Sequence, residues 1–332
     1  MNQNSALADN LPLVSVRVCT YNSSKYILDT LNSVFRQTYP KIELIISDDC
    51  STDNTVGICK AWVDRHSDRF VRVELLEVPK NTGTSANVNR ANSATRGEWI
   101  KGLAGDDMLA DHAIETFVDY VTRHDQCRIC ISGIDFIDDD GNPTSYDSLV
   151  LQNYLNYLTE PLKKQQRRIL QGLFMPSPPA FMAAELAKNR ACDENFPFAD
   201  EWPFFYKVLN EGNRIYPVTD ILFHYRVREG SLSRINGGLD PRVVESMKNF
   251  AFRVIRPQML RKGMLLSAWH ITLVYNIQYW QSRNRYGSVA SKLMKLGLLL
   301  SPVTYCRIAE RIRLKYVISA KSKDIPIKER AE

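Results

Sequence analysis

The chain has 332 residues, 44% of them hydrophobic and 24% charged, with a formal net charge of +6. That length can bury a substantial core in one or two domains, and the composition excludes a disordered, collagen-like or disulfide-scaffold protein. The net charge hides a division: residues 1–240 carry 25 Lys+Arg against 32 Asp+Glu, whereas residues 241–332 carry 18 against 5. An acidic body and a basic tail suggest different partners for the two parts, and the tail fits an anionic surface. The seven cysteines show no paired framework. Cys127 and Cys130 form one C-x-x-C inside a strand-like run with no second pair to complete a zinc site, so reduced structural thiols and a cytoplasmic location are expected. Residues 1–11 lack the apolar core of a signal peptide. Met264–Ser282 is nearly free of charge but too polar for a confident membrane span, and it reads as a buried or interfacial helix.

Leu13–Thr20 alternates apolar and polar residues as a strand does. Helical spacing of Ile27, Leu28, Leu31, Val34 and Phe35 follows and ends at Pro40. Ile42–Ser47 predicts a second, more completely apolar strand. Strand, helix and strand in this order make a βαβ unit, hence a parallel sheet with a right-handed crossover. Strands at Val71–Val78 and Trp99–Leu103, with helices near Thr55–Arg65 and Ser85–Thr95, continue the pattern. Ligands of open α/β sheets bind beyond the carboxyl ends of the strands. Those ends read Cys19-Thr20-Tyr21, Asp48-Asp49, Pro79–Asn81 and Asp106-Asp107. Adjacent carboxylates need exposure or a cation, and hard oxygen ligands suit Mg²⁺ or Mn²⁺. The plain alternative is a solvated turn in which Asp107 caps a helix.

Five motifs fall in order: Pro12–Asn22 (PLVSVRVCTYN), Ile46–Asp53 (ISDDCSTD), Asn81-Thr82-Gly83, Gly97–Ile100 (GEWI) and Ala104-Gly105-Asp106-Asp107. Together they resemble the successive motifs of family 2 glycosyltransferases over about residues 12–235. The resemblance implies an α/β fold of the GT-A (Rossmann-like) type, with a mostly parallel central sheet flanked by helices. The nucleotide-sugar half would span about 12–110 and the acceptor half about 111–235, with 236–332 a basic helical C-terminal region. It further implies a nucleotide-sugar site at Thr20, Tyr21, Asn22, Asp48, Asp49 and Asn81. Tyr21 would pack on the base and Asp48 accept a hydrogen bond from it, which favours a UDP- or dTDP-sugar donor. Asp106 would serve the ribose and Asp107 the metal, Mn²⁺ or Mg²⁺, with Asp106 a second ligand. Two departures stand out: Ala104 occupies a position where relatives often carry an acid, and Val88 one where they often carry arginine.

In the second half, Arg128–Ile137 reads as a strand, and 148–172 as a polar surface helix or an excursion over an acceptor cleft. Met175–Ala180 (MPSPPA) is a rigid breaker. Phe198–Gly212 predicts a helix with Trp202, Phe205, Val208 and Leu209 on one face and Gly212 as its stop. Asp200 and Glu201 open it, where the helix dipole favours acids in any case. The segment resembles the family's acidic pair followed by an aromatic, whose second acid is the general base. By register against Trp202 that acid is Glu201, with Asp200 the alternative. Asp220–Ser233 predicts a strand and a basic loop, whose Arg226 or Arg228 would clamp a diphosphate; His224 reads as structural. The tail from Asp240, with Arg307, Arg311, Arg313 and Lys315 along an amphipathic stretch, fits a membrane surface or a packed extension. Nucleic acid is not an expected partner, since no reading motif accompanies the charge.

The expectation is therefore an inverting, metal-dependent glycosyltransferase acting on a saccharide acceptor, polyprenyl-linked, in surface polysaccharide synthesis at the cytoplasmic face of a membrane. Its rivals are a sugar-nucleotide pyrophosphorylase, disfavoured by the glycine-free Thr20–Lys25, and a non-catalytic sugar- or nucleotide-binding module.

Overall fold

The computed structural model describes residues 11–144, 154–172, 179–189, 192–228, 240–283 and 289–305. Two compact units divide at Met247/Lys248, inside a helix and later than the change of composition that suggested a boundary near 235.

The first unit is built on one eight-stranded sheet. In chain order it contains β1 (Val14–Thr20), α1 (Ile27–Phe35), β2 (Ile42–Asp48), α2 (Thr55–His66), β3 (Arg72–Glu77), α3 (Thr84–Ala94), β4 (Trp99–Ala104), β5 (Met108–Leu109), α4 (Ala113–Arg123) and β6 (Ile129–Ile137). Then follow α5 (Leu162–Leu170), β7 (Ala180–Ala183), α6 (Ala184–Asn189), α7 (Glu201–Asn210) and β8 (Tyr216–Arg226), with α8 (Pro241–Phe250) crossing into the second unit. The strand order is β3-β2-β1-β4-β7-β6-β8-β5. β3, β2, β1 and β4 are mutually parallel. β7 runs antiparallel to both β4 and β6 and so joins the parallel block to the rest.

The elements form where apolar spacing demands them. β2 is buried along its whole length, as expected for a strand covered on both faces. Ile114, Phe117, Val118 and Val121 repeat at helical spacing and form the buried face of α4. Phe117 stacks on Phe181, and Phe181 on Trp99, with ring centroids 5.0 and 5.2 Å apart. Each such ring buried contributes about 1.5–3 kcal/mol. This stack cements β7 between the two halves of the sheet.

Residues 154–172 are no loose excursion. Tyr154, Leu158, Ile169 and Leu170 are buried, and the Ile169 carbonyl accepts the Trp202 indole N–H at 3.0 Å. Gln165, also buried, donates to the carbonyls of Leu158, Glu160 and Ile215 and accepts the Ile215 N–H. The surface-helix reading holds for α5, which turns most of its Lys and Arg residues outward while one glutamine side chain satisfies four backbone groups inward. Gly212 ends α7 with φ +91°, the left-handed stop its position predicts. Residues 145–153, 173–178 and 229–239 lie outside the described residues, as does the Arg307–Lys315 stretch.

The second unit contains α9 (Arg256–Arg261), which follows a single π-helical turn, then α10 (Leu265–Ser282) and α11 (Val289–Leu300). Among the described residues no helix is long and apolar enough to cross a membrane.

Candidate active site

Parallel β1, β2 and β4 end together, and their register brings Thr20 beside Asp48 and Cys19 beside Ala104. At this edge Tyr21 is 44% exposed, an aromatic face left open to a ligand. Thr20 Oγ1 is buried and makes no hydrogen bond. An orphaned buried hydroxyl of this kind is unusual. Asn81 is also exposed, and its Oδ1 accepts the Gly83 N–H at 3.2 Å.

Several of the remaining expected donor-site residues are hydrogen-bonded within the protein. Asn22, at φ +49°, accepts the Thr52 N–H at 2.8 Å and ties the first loop to the second. Asp48 is buried, and its two oxygens accept the N–H and hydroxyl of Ser51 at 2.7 and 2.5 Å. It caps its own turn. Asp49 accepts the N–H and hydroxyl of Thr82, the Gly83 N–H, and the Arg90 guanidinium at 3.0 Å. Arg90 was not foreseen. It supplies a cation to Asp49, two positions on from Val88 where an arginine was missed.

Asp106 and Asp107 differ in exposure. Asp107 is 2% exposed and its Oδ1 accepts the Arg226 N–H at 2.9 Å. Burial, then the neighbouring Asp106 charge, pushes its carboxyl well up, although the Arg226 N–H and the Lys101 and Arg226 charges oppose this. Asp106 is the outward member, and its Oδ2 meets Arg228 Nε at 2.8 Å. The diphosphate clamp changes likewise. Arg226 has a fully enclosed side chain and donates to the carbonyls of Asp106, Asp138 and Asp139 and to Asp29 Oδ2. Four of its five donors are thus spent on protein. Arg228, still partly exposed beside Asp106, is the arginine left at the edge.

The described residues contain no cluster of three or more His, Cys, Asp or Glu that could hold a metal. Ala104 stands in place of an acid, and Asp106 is the more exposed carboxylate of the pair. That donor set fits an ion of the Mg²⁺ type, which needs only one or two carboxylates beside water and substrate phosphates. His224, expected to be structural, pairs with Asp135 at 2.5 Å.

The acidic pair opening α7 reaches this edge through α3. Gly83, at φ +88°, adopts a backbone conformation that disfavours a side chain, and a Cβ there would press on Pro197 at 3.2 Å. The first turn of α3 donates to the preceding segment, Ser85 N to Pro197 O and Ser85 Oγ to Phe196 O. Thr84 Oγ1 donates to Pro197 O at 2.8 Å and lies 3.4 Å from Asp200 Oδ1. Asp200 thereby joins the nucleotide half to the acceptor half. Burial pushes its carboxyl up, opposed by its own N–H, the Arg17 charge and the Thr84 hydroxyl. Arg17 is a second residue the sequence reading passed over. It occupies β1, where its Nε is buried without a hydrogen bond and its Nη1 lies 3.3 Å from Cys19 Sγ. A charge inside a valine-rich strand was the available signal. Glu201 begins α7 and is partly exposed.

Residues 15–185 match the family model described as glycosyl transferase family 2. The chain belongs to that family. It is a glycosyltransferase, which removes support from the pyrophosphorylase and non-catalytic readings. Among curated relatives it is 27% identical over 230 residues to the glycosyltransferase GlyG of Streptococcus pneumoniae serotype 4, covering 67% of this chain and 73% of that one. It is 26% identical over 232 residues to TuaG of Bacillus subtilis, a putative teichuronic acid biosynthesis glycosyltransferase, covering 67% and 82%. Among solved structures, S. aureus TarS 1-349 in complex with UDP-GlcNAc aligns with TM-score 0.59 at 21% identity, covering 86% of this chain and 79% of that one. The mannosyltransferase PcManGT of Pyrobaculum calidifontis, in complex with GDP-Man and Mn²⁺, aligns with TM-score 0.55 at 17% identity, covering 96% and 88%. At those identities the likeness establishes the GT-A fold and leaves the substrates open.

Proposed function

We propose that this glycosyltransferase moves a sugar from a nucleoside-diphosphate donor to a hydroxyl of a saccharide acceptor, with inversion at the anomeric carbon. The observation that carries the reading is a carboxyl with an upward-shifted pKa, Asp200, held beside the nucleotide edge by Thr84. A general base works best when its pKa approaches the working pH, and burial moves a carboxyl in that direction. Asp200 accepts the acceptor's proton as the hydroxyl oxygen attacks the sugar from the face opposite the diphosphate. Glu201, favoured by register, then orients the acceptor at the rim.

At the donor end, Tyr21 stacks on the base, Thr20 Oγ1 and Asn81 hydrogen-bond the nucleoside, and Arg228 meets the diphosphate. Asn22, Asp48, Asp49, Asp107 and Arg226 keep these groups in place. Asp106 would hold a Mn²⁺ or Mg²⁺ that neutralises charge on the departing nucleoside diphosphate. The names of relatives support a role in bacterial polysaccharide synthesis, among them TuaG and the succinoglycan biosynthesis protein ExoO of Rhizobium meliloti. The titles of the TarS structures support a UDP-linked donor. A polyprenyl-linked acceptor, met at the cytoplasmic face of the membrane, fits the basic tail.

The test is transfer from a panel of nucleotide sugars with and without Mn²⁺, using wild type, Asp200→Asn and Glu201→Gln. Loss of transfer with Asp200→Asn and partial activity with Glu201→Gln supports the assignment. The converse returns the base to Glu201, and full activity in both variants overturns the site.

A further inference from the structure

Residues 246–309 contain no Asp or Glu and ten Lys or Arg. Within this stretch α10 and α11 pack side by side. Gly297 permits the approach, since a Cβ there would lie 3.3 Å from Leu273 Cδ1 and 3.8 Å from Trp269 Cζ2. His270 Nδ1 lies 3.1 Å from Ser301 Oγ across the same junction. The start of α10 is therefore beside the end of α11. Ala268, Ile271 and Leu273 are buried.

The leftover surface is unusual. Leu265, Leu266 and Trp269 at the start of α10, and Leu296, Leu299 and Leu300 at the end of α11, are each between 41% and 68% exposed. Spacings of three and four residues set each trio on one face of its helix, and the Trp269–Gly297 approach makes the two faces neighbours. Arg261, Lys262 and Lys295, all exposed, stand beside them. Soluble chains rarely leave a contiguous apolar patch of this kind uncovered.

We propose that this face docks on the surface of an acidic phospholipid bilayer. Leucine with tryptophan, flanked by Lys and Arg, is the composition that partitions at the headgroup boundary, the apolar groups entering it while the cations meet lipid phosphates. A second copy is a poorer occupant, because a self-complementary contact would bring two acid-free, cationic surfaces together. Binding lies along the surface, since neither described helix can cross the bilayer.

The experiment is flotation of the full chain with vesicles of phosphatidylcholine mixed with phosphatidylglycerol, against vesicles of phosphatidylcholine alone. The expected result is binding to the acidic vesicles, weakened in high salt. Leu266→Asp with Leu299→Asp should reduce binding by at least about tenfold, and Arg261→Glu with Lys262→Glu and Lys295→Glu by a similar factor. Both variants should keep the wild-type thermal transition and transfer to a soluble acceptor, because the substituted side chains are exposed. Absent flotation of the wild type, equal flotation of the variants, or a wild-type dimer that the Leu266→Asp change converts to monomer would each overturn the proposal. Flotation needs neither donor nor acceptor, so its failure leaves the transfer reaction untouched.

Discussion

Both ends of the same parallel strands bury a carboxylate, and they treat it oppositely. At the amino end, Glu43 of β2 is fully enclosed. It accepts the Ser15 hydroxyl at 2.5 Å, the backbone N–H groups of Arg96 and Gly97, and the Arg72 guanidinium. Burial alone would push Glu43 up, but these donors outweigh it and hold the carboxyl below its usual value. At the carboxyl end, Asp107 and Asp200 are pushed up because burial is not matched by enough donors. A satisfied carboxylate stabilises the sheet, whereas burial without enough donors favours the protonated form.

The largest break in that comparison is chemical. Asp200→Asn should lower transfer by roughly 100- to 10,000-fold, the usual worth of a general base, with little change in the urea midpoint of unfolding. Glu43→Gln should do the opposite. It removes one partner of a buried pair and should cost about 3–5 kcal/mol in urea unfolding, while donor affinity per folded molecule is retained. The Glu43 contribution also has a pH signature. Because the folded pKa is depressed, its stabilisation is present above the unfolded value near 4.5 and is lost as pH falls through the folded value. In Glu43→Gln, that acid-limb slope should flatten.

Two smaller changes sharpen the carboxyl end. Gly83→Ala adds a side chain at φ +88° and against Pro197. It should cost about 1–2 kcal/mol in thermal unfolding and reduce transfer by displacing Asp200. Arg17→Met removes a charge that holds the Asp200 carboxyl down. Since the base acts deprotonated, the acid limb of the kcat/KM profile should move to higher pH, with the plateau rate nearly unchanged.

The amino-terminal half was legible in the sequence because its signals are local. Valine alternation, helical spacing and turn residues placed β1 to β4 within a residue or two, and the motif order indicated the family. Membership of the site was less legible. Asp48, Asp107 and Arg226 are the right residue types at the right strand ends, yet they face inward and hold loops. Asp106 and Arg228 take the outward places. Whether an Asp at a strand end meets solvent depends on the last turn of the pleat and on what packs above it, which one-dimensional spacing does not encode. Val88 invited the conclusion that a cation was missing, while Arg90 reached Asp49 from two positions further along α3.

By itself the sequence determined the parallel α/β frame, the polar and acidic carboxyl ends of its strands, and the basic tail, acid-free over residues 246–309. These follow from periodicity and composition, which every residue carries regardless of its distant neighbours. The tertiary structure alone decided how each acid of the two pairs is buried and partnered. Asp106 rather than Asp107 faces outward, because the Arg226 N–H draws Asp107 in. Asp200 approaches the nucleotide half because carbonyls 196 and 197 dock on the first turn of α3, over a hundred residues earlier in the chain. A carboxylate's pKa and reach are set by the donors and the burial that folding brings to it, and those partners come from elements far apart in sequence.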